Sequence, residues 1–144
     1  LFAATGAMGF EALSRGAKKA FFIDNNPHAA TAMKQTAQHL GVEKISTILC
    51  RDVVDGLRWL IQKKEEFHII FMDPPYFRKE HPEAFQKVSE AILLIDSSDC
   101  LKKGGTLFIE DSKKSPVESL ELATLRLKSK RPCGDAFLWQ FQKN

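Results

Sequence analysis

Several things are scarce in this chain of 144 residues. No apolar run is long enough to cross a membrane as a helix. The first ten residues are apolar, but no basic stretch precedes them as it would in a signal peptide. The three cysteines, Cys50, Cys100 and Cys133, are odd in number and far apart. They form neither a zinc spacing nor a CxxC pair, and a reduced, cytoplasmic protein is the expectation. The four histidines, His28, His39, His68 and His81, show no ligand spacing either, so no metal site is expected. There is no internal repeat and no low-complexity stretch. A large excess of charge of one sign is also missing, with 21 Lys and Arg against 18 Asp and Glu. The net charge of +3 permits a nucleic-acid partner without requiring one.

What is present is an alternation of short apolar runs and helical periodicities. Leu1-Phe2-Ala3 reads as the end of a strand, Ala4 to Gly6 as a turn, and Ala7 to Arg15 as a helix closed by Gly16. Ala20 to Ile23 is a buried parallel strand ending in Asp24. Asn26 caps the next helix with Pro27 at its first position. Ala30, Met33, Ala37 and Leu40 form the apolar stripe of that helix, and Gly41 ends it. Lys44 to Cys50 is a third strand, followed by Asp52 and a helix marked by Val54, Leu57, Leu60 and Ile61. Phe67 to Met72 is a fourth strand, and a helix is expected from about Pro82 to Ile95. Gly104-Gly105 break the chain before a strand from Thr106 to Glu110. Ser115 to Glu118 has capping-box spacing for a short helix. Two alternating runs, Leu125 to Lys130 and Ala136 to Gln142, close the chain around a turn from Pro132 to Asp135, with Phe137, Trp139 and Phe141 on one face. This order predicts one domain over residues 1–144: a doubly wound, Rossmann-like α/β fold, mostly parallel, with an antiparallel C-terminal hairpin.

Ligands of such sheets sit at the carboxyl ends of the strands. The Ala4–Gly6 turn, Asp24, Asp52 and Asp73 all fall there. Ala4-x-Gly6-x-x-Gly9 is a degraded form of the glycine-rich turn whose backbone lets a nucleotide approach a helix N-terminus. Asp24 ends the second strand, where an acid can accept hydrogen bonds from both ribose hydroxyls. That pair suits a nicotinamide dinucleotide and S-adenosylmethionine equally. Asp52 is placed to accept from an adenine amino group or to cap a helix. The stretch FHIIFMDPPY is more discriminating. Pro74 and Pro75 fix two φ angles and remove two backbone donors. What remains is a stiff row of acceptors, the Asp73 carboxylate and the Pro74 carbonyl, with Tyr76 able to stack on a base. Acceptors on the two N–H bonds of a nucleobase amine can aim its lone pair at an electrophile.

DPPY after a strand resembles the (D/N/S)PP(Y/F) motif of amino-group methyltransferases. LFAATGAMGFEALSRGA, FHIIFMDPPY and GGTLFIED together resemble the RsmD-type family, over nearly the whole chain. The resemblance implies transfer of a methyl group from S-adenosylmethionine to the 2-amino group of a guanine in small-subunit (16S) ribosomal RNA. It implies that Phe2, Ala3, Ala4, Thr5 and Gly6 contact the methionine part and ribose of the cofactor. Asp24, with Asn25 beside it, would hold the ribose, and Asp52 with the Val53 N–H would read adenine. Asp73, Pro74, Pro75 and Tyr76 would form the loop that holds the base. The implied partner is ribosomal RNA or a partly assembled small subunit, met by a monomer with no membrane involvement. Arg78, Lys79, Lys128, Lys130 and Arg131 offer a basic face for it. The pattern departs from the family in three ways. Ala4 stands where the family has glycine, and no acidic residue precedes Leu1. The family also carries a further segment upstream, including a central first strand, so this chain is expected to be an N-terminally truncated fragment. A DNA adenine amino-group methyltransferase shares DPPY and stays open, as does a non-catalytic nucleic-acid-binding remnant of the fold. A nicotinamide oxidoreductase would leave DPPY unexplained.

Overall fold

The computed structural model describes residues 1–78, 80 and 84–144. Lys79 and the start of the helix expected from Pro82 lie outside the described residues. The chain divides into two compact units, Leu1–Gly56 and Leu57–Asn144.

The first unit opens with α1 (Ala7–Ser14), then β1 (Ala20–Asp24), α2 (Pro27–His39) and β2 (Ser46–Cys50). A 3-10 turn over Glu43–Ile45 precedes β2, so that strand begins two residues later than its apolar pattern suggests. β1 and β2 pair in parallel, from Ala20 opposite Ser46 to Asp24 opposite Cys50. The Asn26 side chain caps α2 by accepting from the His28 N–H at 2.9 Å, and Pro27 takes the first helical position, as expected. Ala30, Met33 and Ala37 are buried, whereas Leu40 falls past the last turn and is 54% exposed. Phe10 and Phe22 stack with ring centroids 4.7 Å apart and form a core with Met33 and Ala37. That contact explains the glycine spacing. A Cβ on Gly9 would lie 2.2 Å from the Phe22 ring, and one on Gly6 would lie 2.8 Å from Phe10. Both glycines let α1 and the turn before it approach their own core. α3 (Val53–Gln62) then begins in this unit and ends in the next.

The second unit holds β3 (Phe67–Met72), α4 (Ala84–Ser97), β4 (Leu101–Ser112), β5 (Leu125–Cys133) and β6 (Ala136–Lys143). The sheet order is β3-β4-β6-β5, with β3 and β4 parallel and the other two pairs antiparallel. β4 starts at Leu101, not after the glycine pair. The break expected at Gly104-Gly105 is instead a shift of register inside the strand: Phe67 faces Leu101, but Ile69 faces Thr106. A Cβ on Gly105 would come within 2.7 Å of the Lys102 carbonyl, so the crowded bulge excludes any side chain. The hairpin turn is tighter than expected. β5 runs through Pro132 to Cys133, and Gly134, with φ of 56°, supplies the left-handed residue of a two-residue turn. Pro132 is tolerated because β5 is an edge strand. The capping box does not form. Val117–Ser119 is a single 3-10 turn with no side-chain cap, because the Glu118 carboxylate accepts from the Trp139 indole at 3.1 Å and pairs with Lys130. Met72, Ile92, Ile95, Leu107, Ile109 and Trp139 are buried completely or nearly so and make the apolar interior. Among the described residues no helix is long and apolar enough to cross a membrane.

Candidate active site

In the first unit, the residues after the opening strand end are tied to the tip of β1. Ala3 donates its N–H to the Ile23 carbonyl at 3.0 Å, and Gly6 donates to Ala3 at 2.6 Å. The Asp24 carboxylate bridges two segments. One oxygen accepts from the Ala4 N–H at 2.8 Å, the other from the Asn26 N–H at 2.9 Å. The Arg51 N–H reaches the Asp24 carbonyl at 3.0 Å, which brings the start of the loop containing Asp52 to the same strand ends. Phe2, Ala4 and Gly6 have positive φ values of 56°, 47° and 77°. Two residues of the Ala4–Gly6 turn are thus left-handed, and one of them is an alanine.

Asp24 therefore has a structural duty that the sequence could not separate from a ligand role. The two are compatible. A carboxylate offers about four acceptor positions, and Asp24 uses one on each oxygen for the backbone. Ala4, Thr5 and Asn25 are exposed around it, and α1 begins without a side-chain cap or an acid in its first turn. Its leading N–H groups have no partner within the helix. An acid with spare acceptors beside exposed small residues and open N–H groups fits the ribose and carboxylate of S-adenosylmethionine. Asp52 accepts from the Val54 N–H at 3.0 Å and so begins α3, the helix-cap role expected as one of its two readings. Val53 is the first residue of that helix, where a backbone N–H has no intrahelical acceptor.

In the second unit, Met72 pairs with Ile109, so Asp73 emerges beside Glu110 at the carboxyl end of two parallel strands. Pro74 is buried, while Asp73, Pro75 and Tyr76 are exposed. Partial loss of water around it, then the negative charges of Glu110 and Asp111, raise the Asp73 carboxyl above its ordinary value. The Tyr76 hydroxyl donates to Glu110 at 3.2 Å. Partial shielding from water, then that hydrogen bond and the Glu110 charge, raise its phenol above the ordinary value although the ring is exposed. Phe77 is held three ways. Its N–H donates to Asp111 at 2.7 Å, its carbonyl accepts from the Ser112 hydroxyl at 2.9 Å, and its ring meets Phe85 of α4 edge-on at 5.9 Å.

Phe77, Glu110, Asp111 and Ser112 were not among the expected site residues. The signal was present. An apolar strand ends in acids at Glu110-Asp111, the same pattern that singled out Asp24. The inward period of two along Leu107 and Ile109 carries Asp111 into the interior, at 1% exposure. Of the expected basic residues, Arg78, Lys128 and Arg131 are exposed, and Lys79 lies outside the described residues. Lys128 sits at a register shift of the β5–β6 ladder. Lys130 is engaged by Glu118 and lies 4.2 Å from the centroid of the Phe137 ring.

Alternating strands and helices, with acids at strand ends in the first unit and a proline-stiffened DPPY loop in the second, define a Rossmann-like methyltransferase fold. The chain belongs to the family described as Conserved hypothetical protein 95, whose model matches residues 1–142, and the RsmD-type resemblance holds. It is 32% identical over 125 residues to "Ribosomal RNA small subunit methyltransferase D" of Haemophilus influenzae, covering 86% of this chain and 61% of that protein. It is 32% identical over 114 residues to "Putative rRNA methyltransferase YlbH" of Bacillus subtilis, covering 79% of this chain and 58% of that protein. The chain thus spans about three fifths of the length of these curated relatives. Among solved structures, a "putative methylase" of Haemophilus influenzae superposes with a TM-score of 0.78 at 26% identity, over 99% of this chain and 83% of that one.

Proposed function

We propose that this chain carries the cofactor-holding and base-holding residues of an S-adenosylmethionine-dependent methyltransferase acting on the 2-amino group of a guanine in small-subunit ribosomal RNA. The observation that carries the reading is the DPPYF loop: Asp73 stands exposed at a strand end while Tyr76 and Phe77 behind it are tied to β4. Family membership and the names of the relatives support it. The cofactor supplies an electrophilic methyl group on a sulfonium.

Asp24 accepts from the ribose hydroxyls, and the Ala4–Gly6 turn follows the methionine part. Asp52 and the Val53 N–H address the adenine. Asp73 and the Pro74 carbonyl accept from the two N–H bonds of the target amine, and Tyr76 stacks on the ring. The base leaves its stack to be held this way. Positioning of the amine supplies most of the rate.

Calorimetry with S-adenosylmethionine on this chain and on its full reading frame tests the cofactor; binding by neither overturns the reading. Labelled-methyl transfer to small-subunit RNA, free large-subunit RNA and DNA tests the substrate. Transfer to DNA alone selects the adenine alternative. Asp73→Ala is expected to lower transfer at least 100-fold, on the order of the loss from misplacing a reacting group, while cofactor affinity stays within about twofold. Unchanged turnover in that variant sinks the role given to the loop.

A further inference from the structure

We propose that the far end of β4 is a positioning device for the base-holding loop, with Glu110 aiming the Tyr76 ring and Asp111 and Ser112 clamping the Phe77 main chain. The inference rests on the function proposed above and adds to it residues that the DPPY motif does not contain. Tyr76 is 45% exposed, so packing alone leaves its ring free to turn. Its hydroxyl bond to Glu110 removes that freedom at the far end of the ring. Phe77 follows immediately, and both polar groups of its main chain are bonded to β4 side chains, the N–H to Asp111 and the carbonyl to Ser112.

The clamp is costly to build. Asp111 is buried to 1% exposure, and its Oδ2 has no hydrogen-bond partner among the described residues. A buried carboxylate is retained only where its remaining bonds matter, and here those bonds go to Phe77 and to the Ser112 N–H at 2.6 Å. The prolines stiffen the loop from within. The β4 end fixes where that stiff unit points. A base stacked on Tyr76 and bonded to Asp73 then finds both groups already oriented, with little ordering left to occur on binding.

Tyr76 is the only tyrosine of the 144 residues. Its ionisation is therefore read directly by absorbance at 295 nm, and in the full reading frame by subtracting a Tyr76→Phe variant. Among the described residues, Glu110, Asp73 and the Cys133 thiol are the titratable groups that act on it. In Glu110→Ala the tyrosine titration is expected to move down toward about 10. Glu110→Gln, which keeps an acceptor but no charge, should fall between. With small-subunit RNA as substrate, Glu110→Ala should lower kcat/KM about 10- to 100-fold with unchanged affinity for S-adenosylmethionine, and Glu110→Gln should restore part of it. Asp111→Asn, which keeps an acceptor for the Phe77 N–H, should retain more activity than Asp111→Ala, and amide exchange at Phe77 should speed up in the alanine variant.

An unmoved tyrosine titration in Glu110→Ala overturns the device even if the wild type methylates RNA. A moved titration with wild-type turnover overturns its role in positioning. A wild type that methylates no nucleic acid overturns the proposed function and the base-directed role with it, whereas the titration still reports whether the bond to Glu110 forms.

Discussion

Ala4 holds φ at 47° in a turn flanked by Phe2 at 56° and Gly6 at 77°. A left-handed conformation costs an L-residue roughly 1–2 kcal/mol because its Cβ crowds the following carbonyl. The bond from its N–H to Asp24 is one of the contacts that hold it there. Ala4→Gly removes the strain but gives the unfolded chain more freedom, roughly 0.4–1 kcal/mol against the gain. The net expectation is a rise in stability of up to about 1.6 kcal/mol, read as a higher urea midpoint at unchanged m-value. A lower midpoint would show that Ala4 is unstrained. The sequence made Ala4 conspicuous, because a glycine pattern with one member missing is visible in one dimension. It could not show that the backbone nevertheless takes the glycine conformation. Nor could it show that Gly9 answers to the Phe22 ring, since that contact exists only once α1 lies on β1.

The elements most readily anticipated from their pattern were those whose signals are local: the Asn26 cap and Pro27 of α2, and the apolar strands β1 and β3. The parts that escaped depend on distant partners. Asp96, near the end of α4, accepts from the N–H groups of Ala123 at 2.7 Å, Thr124 at 2.8 Å and Leu125 at 2.7 Å, and from the Thr124 hydroxyl at 2.8 Å. Lys143 of β6 donates to the carbonyls of Ile95, Asp96 and Ser98 at the same helix end, where a cation also meets the negative end of the helix dipole. No spacing rule links residues so far apart in sequence. Burial pushes the Asp96 carboxyl up, but the three N–H groups and the hydroxyl together outweigh it and leave the carboxyl below its ordinary value. A carboxyl lowered in the folded state stabilises above its unfolded value of about 3.9, and that contribution is lost as pH falls through the folded value. Asp96→Asn presents donors where Asp96 accepts. It is expected to cost about 2–4 kcal/mol at pH 7 and to flatten the fall in stability on acidification. Urea midpoints of both proteins at pH 7 and pH 3 measure this. A variant that keeps the wild-type slope would place the acid sensitivity elsewhere, with Glu118, whose carboxyl is lowered first by its bond to Lys130, as the next carboxylate to test.

For the molecule as a whole, the proposed RNA substrate turns on where the protein's cations sit. The modest net charge of +3 means that binding depends on where cations sit rather than on how many there are. Arg131 and Lys130 are neighbours on β5 and look interchangeable in sequence, yet the fold gives them different surroundings. Lys130 is held by Glu118 and lies against the Phe137 and Trp139 rings, so its charge is already largely answered within the protein. Arg131 is exposed on the same edge strand, opposite Leu138 in the ladder. If the β5 edge takes part in RNA binding, Arg131 releases counterions from the phosphate backbone and Lys130 does not. Arg131→Ala is therefore expected to weaken RNA binding and to reduce the slope of log K against log salt by about 0.7–0.9, the value for one phosphate contact. Lys130→Ala should leave the slope unchanged and lower stability instead, because it strips Glu118 of its ion pair. Measuring both variants by fluorescence anisotropy across a salt series separates the two effects. Equal slopes for the wild type and Arg131→Ala would remove Arg131 from the RNA-binding face and leave Lys128 on β5 and Arg78 next to the DPPY loop as the exposed cations to examine.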